Sequence, residues 1–513
     1  MSRSVICILI TILVYMAMMV VIGVVFSKKN NNVGDFYLGG RKLGPLVSAM
    51  SAEASDMSSY LLMGLPGLAY LCGAAEVGWT AIGLAIGTYL NWLIVAKRLR
   101  VYSAKCLNSI TIPDFFSNRF RDSKKIIMGI SALIIIIFFV PYTASGFSAC
   151  GKLFNQLFGW DYHVAMLISA AIIIAYTSLG GFLAASFTDL IQSIVMTTAL
   201  VILVIFGVST AGGIDNVIEN AKGLTNYLNF TKTVTADGEP VSFGFIPIVS
   251  TLAWGLGYFG MPHILLRFMA IDDKNKIRIS RRIASIWVVI AMGVAVFIGF
   301  IGRALTAQGD VKELLDSSSS ETIVLEMATL LSKHSVIAAL VAGLIFAGIL
   351  ACTMSTSDSQ LLAASSSMSE NLLKGVFKIK LSEKASMMAA RAVLLIIAVL
   401  GVILAWDSSS SVFRVVSFAW AGFGATFGPL MLTSLFWRRT NKYGAIAGLV
   451  VGGVMIFVWK FAVRPLGGAL DIYELLPAFI CALIAIVVVS LVTPAPSKEI
   501  TDEFDAVKAE LDQ

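Results

Sequence analysis

Thirteen stretches of this chain are each about 20 or more residues long and mostly apolar. A helix needs roughly 20 such residues to cross the hydrocarbon core of a bilayer. Numbered one to thirteen, the predicted spans are residues 5–26, 44–71, 77–96, 126–150, 163–183, 188–210, 243–268, 284–305, 335–366, 387–406, 412–436, 444–462 and 474–493. Only 13% of the 513 residues are charged, against about 25% in ordinary soluble chains. The pattern predicts an all-α integral membrane protein with 13 transmembrane helices in a lipid bilayer.

The basic residues indicate how these spans are oriented. If the N-terminus lies outside, 28 of the 38 Lys and Arg residues fall in segments on the inner side. Basic residues gather in cytoplasmic loops, so the N-terminus is expected outside and the C-terminus inside. The same rule explains the net charge of +7 without nucleic acid as a partner. A loop is expected at 184–187, between spans five and six.

Other functional classes find little support in the composition. The three His residues are scattered, and the six Cys residues show no C-x-x-C spacing. We therefore predict no cofactor and no metal site built on His or Cys, and no nucleotide-binding loop indicates a pump or an enzyme. No obligate protein partner is inferred. The tail from residue 494 is acidic, with a short helix expected from Asp502 to Leu511.

Segment two, residues 44–71, carries charges at a depth where charges are costly. Its sequence SAMSAEASDMSSYLLMGLPG places Glu53 and Asp56 among serines. A charged side chain at the centre of a bilayer costs about 2.5–3.5 kcal/mol on insertion scales and usually marks a functional site. Serine hydroxyls also compete for backbone groups. Local unwinding here would free carbonyl oxygens to bind a cation.

Segments seven (243–268) and nine (335–366) contain further interruptions. Segment seven holds helix breakers interleaved with the aromatic residues Trp254 and Tyr258, which suits a pocket for a compact solute. In segment nine, three oxygen-bearing side chains share one helix face at i, i+3 and i+4. The breakers are Gly255, Gly257, Gly260 and Pro262, and the shared face carries Ser355, Asp358 and Ser359.

Segments two and seven lie five spans apart. This spacing predicts two five-helix halves that are inverted in the membrane, each opening with a broken helix and sharing a midplane site. The predicted organisation is a first helix and loop (1–42), repeat one (43–212, helices 2–6), repeat two (243–437, helices 7–11), helices 12–13 (438–493) and a cytoplasmic tail (494–513). Gly, Pro and Ser are common at ordinary helix contacts in membranes, and we assign that role to Gly422, Gly424 and Gly428.

Several stretches resemble the solute:sodium symporter family and, within it, the bacterial sodium/proline symporters. They run in order along nearly the whole chain. They are DFYLGGRKLGP (35–45), SAEASDMSSYLLMGLPG (51–67), GGFLAASFTDLIQ (180–192), WGLGYFGMPHILLRFMA (254–270), MSTSDSQLL (354–362) and SFAWAGFGATFGP (417–429). The resemblance implies a five-plus-five inverted-repeat (LeuT-like) core in a bacterial cytoplasmic membrane.

The resemblance also implies site residues. Sodium would bind at the break of the second helix and at the ninth helix, and the solute, L-proline, near the second, fourth and seventh helices. The implied sodium site consists of Ala54, Asp56, Met57, Cys352, Ser355 and Thr356, with only backbone oxygens from Met57 and Cys352. The implied substrate site consists of Ser58, Tyr142, Trp254, Tyr258 and Pro262.

Two departures from the family pattern leave questions open. Asp358 and Ser359 stand where sodium/proline relatives often have Ser and Cys, and sialic-acid members use hydroxyls there for a second sodium. A second sodium site formed by Asp189, Ser355, Asp358 and Ser359 is therefore a hypothesis. Met261 stands where relatives often have Gln, which leaves the solute open.

Three alternatives to sodium-coupled proline uptake remain at this point. A symporter on the same frame could carry another small solute. An ion channel would favour a continuous polar lining over two broken helices. Proton coupling through Asp56 or Asp189 is the nearest rival, although a hydroxyl patch suits a dehydrated ion better than a proton.

Overall fold

Apolar helices account for nearly all of the fold. The computed structural model describes residues 2–27, 33–234, 240–408 and 411–511, so Lys28 and Lys29, which contributed to the predicted orientation, lie outside the described residues. Within these ranges ten helices are long and apolar enough to cross a membrane, and eleven if one bent pair counts as a single span. Tyr60–Cys72 and Tyr162–Ala175 are shorter apolar helices. The count of thirteen therefore stays a prediction.

The helices follow one another along the chain as two halves. The first half contains α1 (Arg3–Ser27), α2 (Val33–Leu38), α3 (Pro45–Met57), α4 (Leu65–Cys72), α5 (Ala74–Leu90), α6 (Ala96–Lys105), α7 (Ile112–Arg119), α8 (Ile126–Phe158), α9 (Tyr162–Thr210) and α10 (Ile214–Gly223). The second half contains α11 (Phe245–Leu252), α12 (Pro262–Ala270), α13 (Ile277–Gln308), α14 (Ser317–Ser320), α15 (Ile323–Ser332), α16 (Val336–Ser366), α17 (Glu383–Leu404), α18 (Val412–Phe436), α19 (Lys442–Val458), α20 (Leu475–Val492) and α21 (Lys498–Leu511).

Tighter and wider turns interrupt or extend several of these helices. The π-helical turns are Tyr60–Gly64, Asn91–Val95, Ser367–Val376 and Trp459–Val463. The 3-10 turns are Gly39–Arg41, Ala253–Gly260, Lys274–Lys276, Arg464–Leu466 and Gly468–Leu470. A small antiparallel hairpin joins β1 (Lys232–Val234) to β2 (Pro240–Ser242).

The connection between predicted spans five and six differs from expectation. Residues 184–187 are helical, so the loop predicted there is wrong. The chain turns instead at Gly181, with φ 65° and ψ −175° inside α9. Only glycine adopts this backbone region readily, because a Cβ atom would clash there. The break thus depends on one residue, and the flanking helices continue almost to it.

The segments predicted to be interrupted lie at the centre of the fold. The helix α3 packs against α9, α12, α13 and α16, while α18 packs against the Ala253–Gly260 turn, α8 and α20. Close approach of α18 to this turn requires glycine: a Cβ on Gly424 would lie 2.7 Å from Gly257 Cα. The prediction that glycines of segment eleven serve close helix contacts is confirmed. Apolar side chains such as Val14, Ile286 and Ile396 are exposed on the outer faces, as expected in lipid.

The C-terminal helix α21 is longer than predicted and is docked on the protein. It begins at Lys498, four residues before the predicted start, and packs against α6. One face buries three apolar side chains, and acidic side chains beside it pair with four basic residues, one at the end of α6 and three in the connections that follow α7, α12 and α18. The buried residues are Ile500, Phe504 and Val507. The ion pairs are Arg121–Glu499 (2.7 Å), Arg121–Glu503 (2.7 Å), Lys105–Glu510 (2.8 Å), Lys274–Glu510 (3.3 Å) and Arg438–Asp505 (2.8 Å).

Candidate functional site

The predicted interruption of segment two is a single sharp break. The helix α3 ends at Met57, and Ser58 adopts φ 50° and ψ −168°, a conformation that non-glycine residues rarely occupy. Such strain persists only where the surrounding structure imposes it, and it clusters at functional sites. The last carbonyl groups of α3 have no following turn to bond, so they are available to other partners.

Hydroxyl groups of α16 meet the end of α3 directly. Ser355 Oγ donates to the Ala54 carbonyl at 2.8 Å, and both residues are fully buried. On the same helix, Thr356 Oγ1 donates to the Cys352 carbonyl at 3.1 Å. Four of the residues predicted to bind sodium therefore form one compact group of hydroxyl and carbonyl oxygens. Oxygens of this kind are the ligands that hard cations prefer.

The remaining predicted sodium residues lie beside this group. Met57 is the last residue of α3 and lines the adjacent cavity. The Asp56 carboxylate faces segment seven, where it accepts a short hydrogen bond from Tyr258 Oη. The backbone carbonyl of Asp56 accepts from Tyr142 Oη at 3.4 Å. Asp56 thus connects the cation group to the predicted substrate residues.

A small cavity lies next to the break of segment two. Five of the predicted site residues line it, together with five other residues. The predicted ones are Asp56, Met57, Ser58, Tyr142 and Trp254, and the others are Tyr60, Leu84, Met292, Val416 and Trp420. Its free volume is about 20 Å³, which is room for roughly one water molecule. In this conformation the cavity is too small for an amino acid, so a solute would have to enlarge it.

The other two predicted substrate residues belong to segment seven but differ in position. Tyr258 touches the cavity wall through its bond to Asp56 and its edge-on contact with Trp420, with ring centroids 5.1 Å apart. Pro262 starts α12, where its missing N–H costs nothing. In the part of the chain that the structure describes, Pro262 does not line the cavity. The bend between Phe245–Gly260 and α12 is 48°.

Stacked aromatic rings separate the small cavity from a larger one. Trp254 stacks on Tyr60 (centroids 5.9 Å apart), on Phe413 (5.5 Å) and on Tyr473 (5.3 Å). Trp254, Phe413 and Tyr473 also line the second cavity, of about 420 Å³, whose walls carry charged side chains such as Glu76 and Arg414. The stack closes the small cavity on this side. The sequence analysis missed Phe413 and Tyr473, because nothing local marks rings that meet from distant segments.

The residues of the hypothetical second sodium site also come together, but with an unexpected cation among them. Asp189 Oδ2 accepts from Ser51 Oγ at 2.6 Å and from Ser55 Oγ at 3.1 Å. The guanidinium of Arg267 lies 3.1 Å from the same oxygen. The count of 28 basic residues on the inner side included Arg267, but this side chain is 1% exposed and lies buried inside the protein, so its place in that count is wrong. The helix α12, which is the second half of segment seven, places this charge in the interior of the protein. A count of basic residues cannot detect such a placement.

Comparison with known proteins agrees with this architecture. A model of the sodium:solute symporter family matches residues 36–452. The sodium/proline symporter of Haemophilus influenzae is 42% identical over 500 residues, which is 97% of each chain. The high-affinity proline transporter PutP of Bacillus subtilis is 40% identical over 489 residues, 95% of this chain and 98% of that protein.

Solved structures show the same fold at low sequence identity. A Na+-coupled sialic acid symporter in a substrate-bound outward-open state superposes with a TM-score of 0.79 at 17% identity, covering 96% of this chain and 99% of that chain. A transporter of the nucleobase-cation-symport-1 family in a closed conformation gives 0.55 at 16% identity, covering 92% and 98%. At these identities the likeness concerns the fold alone, and this fold is the LeuT-like type.

Proposed function

Because the chain belongs to the sodium:solute symporter family, whose members are transporters and not enzymes, we propose that it carries L-proline into the cell together with sodium. Relatives at 42% and 40% identity along nearly the whole chain are named for proline. The observation that carries the proposal is the continuity between the Ser355–Ala54 oxygen group and the cavity around Asp56 and Trp254. One broken helix contributes to both, so occupancy of one affects the other.

We assign sodium to the oxygen group at the end of α3. Its ligands would be the carbonyls of Ala54, Met57 and Cys352 and the hydroxyls of Ser355 and Thr356. The support is the Ser355–Ala54 bond, which holds these oxygens together across the two helices. A serine hydroxyl can rotate its proton away and present a lone pair to an ion. Asp56 adds a negative charge within reach of both the ion and the solute.

We assign proline to an enlarged form of the small cavity. The faces of Trp254 and Tyr142 suit the apolar ring, and the amides that follow the break at Ser58 suit the carboxylate. The Asp56 carboxylate, now bonded to Tyr258, is placed to accept from the ring ammonium. Pro262 would act indirectly, by fixing where α12 begins. Met261 is the residue before Pro262, and because relatives often have Gln at this position, the choice among small solutes stays open.

We propose the predicted topology for the whole chain. The chain would have thirteen spans, with the N-terminus outside and the C-terminus in the cytoplasm of a bacterial cell. The thirteen would include the broken segment two and the two parts of α9 on either side of Gly181. Repeat one would cover 43–212 and repeat two 243–437, followed by helices at 438–493 and the tail from 494. The support is that the breaks at Ser58 and Met261 occupy corresponding positions in the two halves.

The energy available to such a symporter is sufficient for concentrative uptake. A sodium ion that enters across 100 mV supplies about 2.3 kcal/mol. A tenfold sodium gradient adds roughly 1.4 kcal/mol. One ion per cycle could therefore support a solute gradient of several hundredfold, at about 1.4 kcal/mol for each factor of ten. Sodium is here a transported substrate and not a resident cofactor.

Uptake by the purified protein in proteoliposomes tests the proposal. With an inward sodium gradient, radiolabelled proline should accumulate above its external concentration, and a proton gradient without sodium should not replace it. Unlabelled proline should compete better than other amino acids. Accumulation of a different solute alone would overturn the assignment of proline. Sodium current that is unaffected by any solute would indicate a channel.

A further inference from the structure

The end of α12 is bound to two other helices on the side of the protein where α21 lies. Leu43, which precedes α3, donates its backbone N–H to the Ala270 carbonyl at 3.1 Å and accepts from the Asp272 N–H at 2.9 Å. Arg100 on α6 donates through Nε to the Ile271 carbonyl at 2.6 Å. The helices α3, α6 and α12 therefore form one group at this side, which we call the first group.

The helices α7 and α18 form a second group on the same side. Arg119 is the last residue of α7, and its Nε donates to the Ser434 carbonyl near the end of α18 at 3.1 Å. The rings of Phe116 on α7 and Phe427 on α18 lie with their centroids 5.9 Å apart. All four side chains are buried, so these contacts hold α7 and the end of α18 together.

The C-terminal helix α21 contacts both groups. It packs against α6, and Glu510 in its last turn pairs with Lys105 at the end of α6 and with Lys274 after α12. Its other paired acidic residues bind the two arginines that follow α7 and α18 in the second group. These ion pairs are Arg121–Glu499, Arg121–Glu503 and Arg438–Asp505. The helix is thus seated on the first group and holds the second group through charges.

The two groups together also bury a charge. Phe504 of α21 lies over the guanidinium of Arg119, with 5.4 Å between the guanidinium carbon and the ring centroid, and Tyr102 of α6 lies over it at 5.2 Å. Within the described ranges, Nη1 and Nη2 of Arg119 have no hydrogen-bond partner. A buried charge without a polar partner is unfavourable, and aromatic faces offset only part of this cost. Water can reach Arg119 once the first group moves away, so hydration of this charge favours separation.

The small cavity lies between the same two groups. Its wall includes Met57 at the end of α3, in the first group, and Trp420 on α18, in the second. In transporters with two inverted halves, one group of helices moves against another to open each side of the site. Separation of the two groups at the α21 side would therefore open the cavity toward that side.

We propose that α21 is a latch: it is carried by the first group, and its acidic side chains must release Arg121 and Arg438 before solute can leave the small cavity on this side. The inference rests on the proposed transport function and topology, and it deepens them by naming what controls release to the cytoplasm. While the ion pairs are intact, the two groups cannot move apart.

A native cysteine reports whether the groups have separated. Cys106 at the end of α6 is fully buried, and its Sγ lies 3.9 Å from Nη1 of Arg121, which belongs to the second group. Alkylation of Cys106 by N-ethylmaleimide therefore requires the groups to part, and mass spectrometry of peptides distinguishes it from the other cysteines. In the wild type with sodium, addition of proline should increase the alkylation rate, because the bound solute allows the protein to reach the state open on this side.

Charge-neutralising substitutions in α21 test the ion pairs. Glu499→Gln/Asp505→Asn removes one pair to each arginine of the second group, whereas Asp502 forms none of the ion pairs between α21 and the described residues. An exposed ion pair changes an equilibrium by a factor of about 1.4 to 5, so loss of two should raise the rate of Cys106 alkylation by about 2- to 25-fold. The control Asp502→Asn should leave this rate close to that of the wild type.

A reversible cross-link tests whether release is needed for transport. The side chains of Arg438 and Asp505 meet at 2.8 Å and are about half exposed, so cysteines introduced by Arg438→Cys and Asp505→Cys can be joined. The reagent is a short bifunctional maleimide with a disulfide in its spacer. The linked protein should lose proline uptake in proteoliposomes but keep sodium-dependent proline binding, and reduction of the spacer should restore uptake. Each single variant treated with the same reagent is the control.

The outcomes separate this inference from the proposed function. Uptake by the linked protein at the rate of the controls would refute the latch, and so would an unchanged alkylation rate in Glu499→Gln/Asp505→Asn. If the cysteine variants do not insert, the wild type decides: alkylation of Cys106 at equal rates with and without proline contradicts the latch. A failure of wild-type proline uptake would refute the solute, whereas the comparison of the α21 variants needs no solute and still tests the latch.

Discussion

Replacing Ser355 with Ala removes one proposed sodium ligand with little other change. The Ser355 hydroxyl is fully buried, and its Oγ lies 2.8 Å from the Ala54 carbonyl. A hydrogen bond to a charged group contributes about 1.5–3 kcal/mol, and we take an ion–hydroxyl contact as comparable. At about 1.4 kcal/mol per factor of ten, sodium binding should weaken by roughly 10- to 100-fold. The half-saturating sodium concentration for uptake should rise by that factor.

The matched control lies two residues away on the same helix. Ser357 is equally buried, but its Oγ faces α8, 2.8 Å from where a Cβ on Gly146 would lie. Ser357→Ala changes helix propensity by the same amount and should leave the half-saturating sodium concentration within about threefold. Initial rates of proline uptake at graded sodium concentrations measure both variants. An equal effect of the two substitutions, or none, would refute the role of Ser355.

Three further changes have defined outcomes. Asp56→Asn should raise the sodium concentration needed for uptake by about an order of magnitude or more, and unaltered sodium dependence in the same assay would exclude a role for this charge. Trp254→Ala should insert normally into the membrane but weaken proline binding by about tenfold, because its ring contacts are lost. Trp254→Phe should retain most of the affinity for proline. Equal affinities of the two variants would argue against ring stacking. Docking of α21 should weaken in acid, because hydrogen bonds from Lys105 and Lys274 lower the pKa of Glu510. A carboxyl whose pKa is lowered on folding stabilises the folded state above its unfolded pKa and loses this effect as the pH falls through the folded value. The backbone amides of α21 should therefore exchange slowly near pH 7. Near pH 3 they should be less protected, after correction for the intrinsic exchange rate. Protection that does not depend on pH would show that the apolar face alone holds the helix in place.

The closed aromatic stack has a consequence for transport. Trp254 contributes to both cavities, so solute cannot pass between them while its ring remains stacked on Tyr60 and Phe413. The first half of segment seven can shift relative to α12, because the non-helical residue Met261 joins the two halves at a 48° bend. Opening on this side would therefore combine a shift of the first half of segment seven with expansion of the small cavity.

Some features could be predicted because they depend on neighbouring residues in the chain. Membrane residence follows from apolar runs of about 20 residues, each of which is sufficient on its own. The breaks in segments two and seven follow from serine, glycine and proline at those positions. The face shared by Ser355 and Ser359 follows from helical spacing. The structure agrees with each of these, although the loop expected at 184–187 was displaced to Gly181, where a glycine permits the turn.

Other features were decided only by tertiary structure. The sequence placed Arg267 with the cytoplasmic basic residues, yet α12 brings it to Asp189, 78 positions away, in a buried group. Likewise, Asp56 faces Tyr258, and Trp254 meets Tyr473 from the far end of the chain. Hydropathy and helical period determine which residues can lie in the membrane and on which helix face. Which charge neutralises which, and which ring closes a cavity, depends on how broken helices from both halves pack around one another.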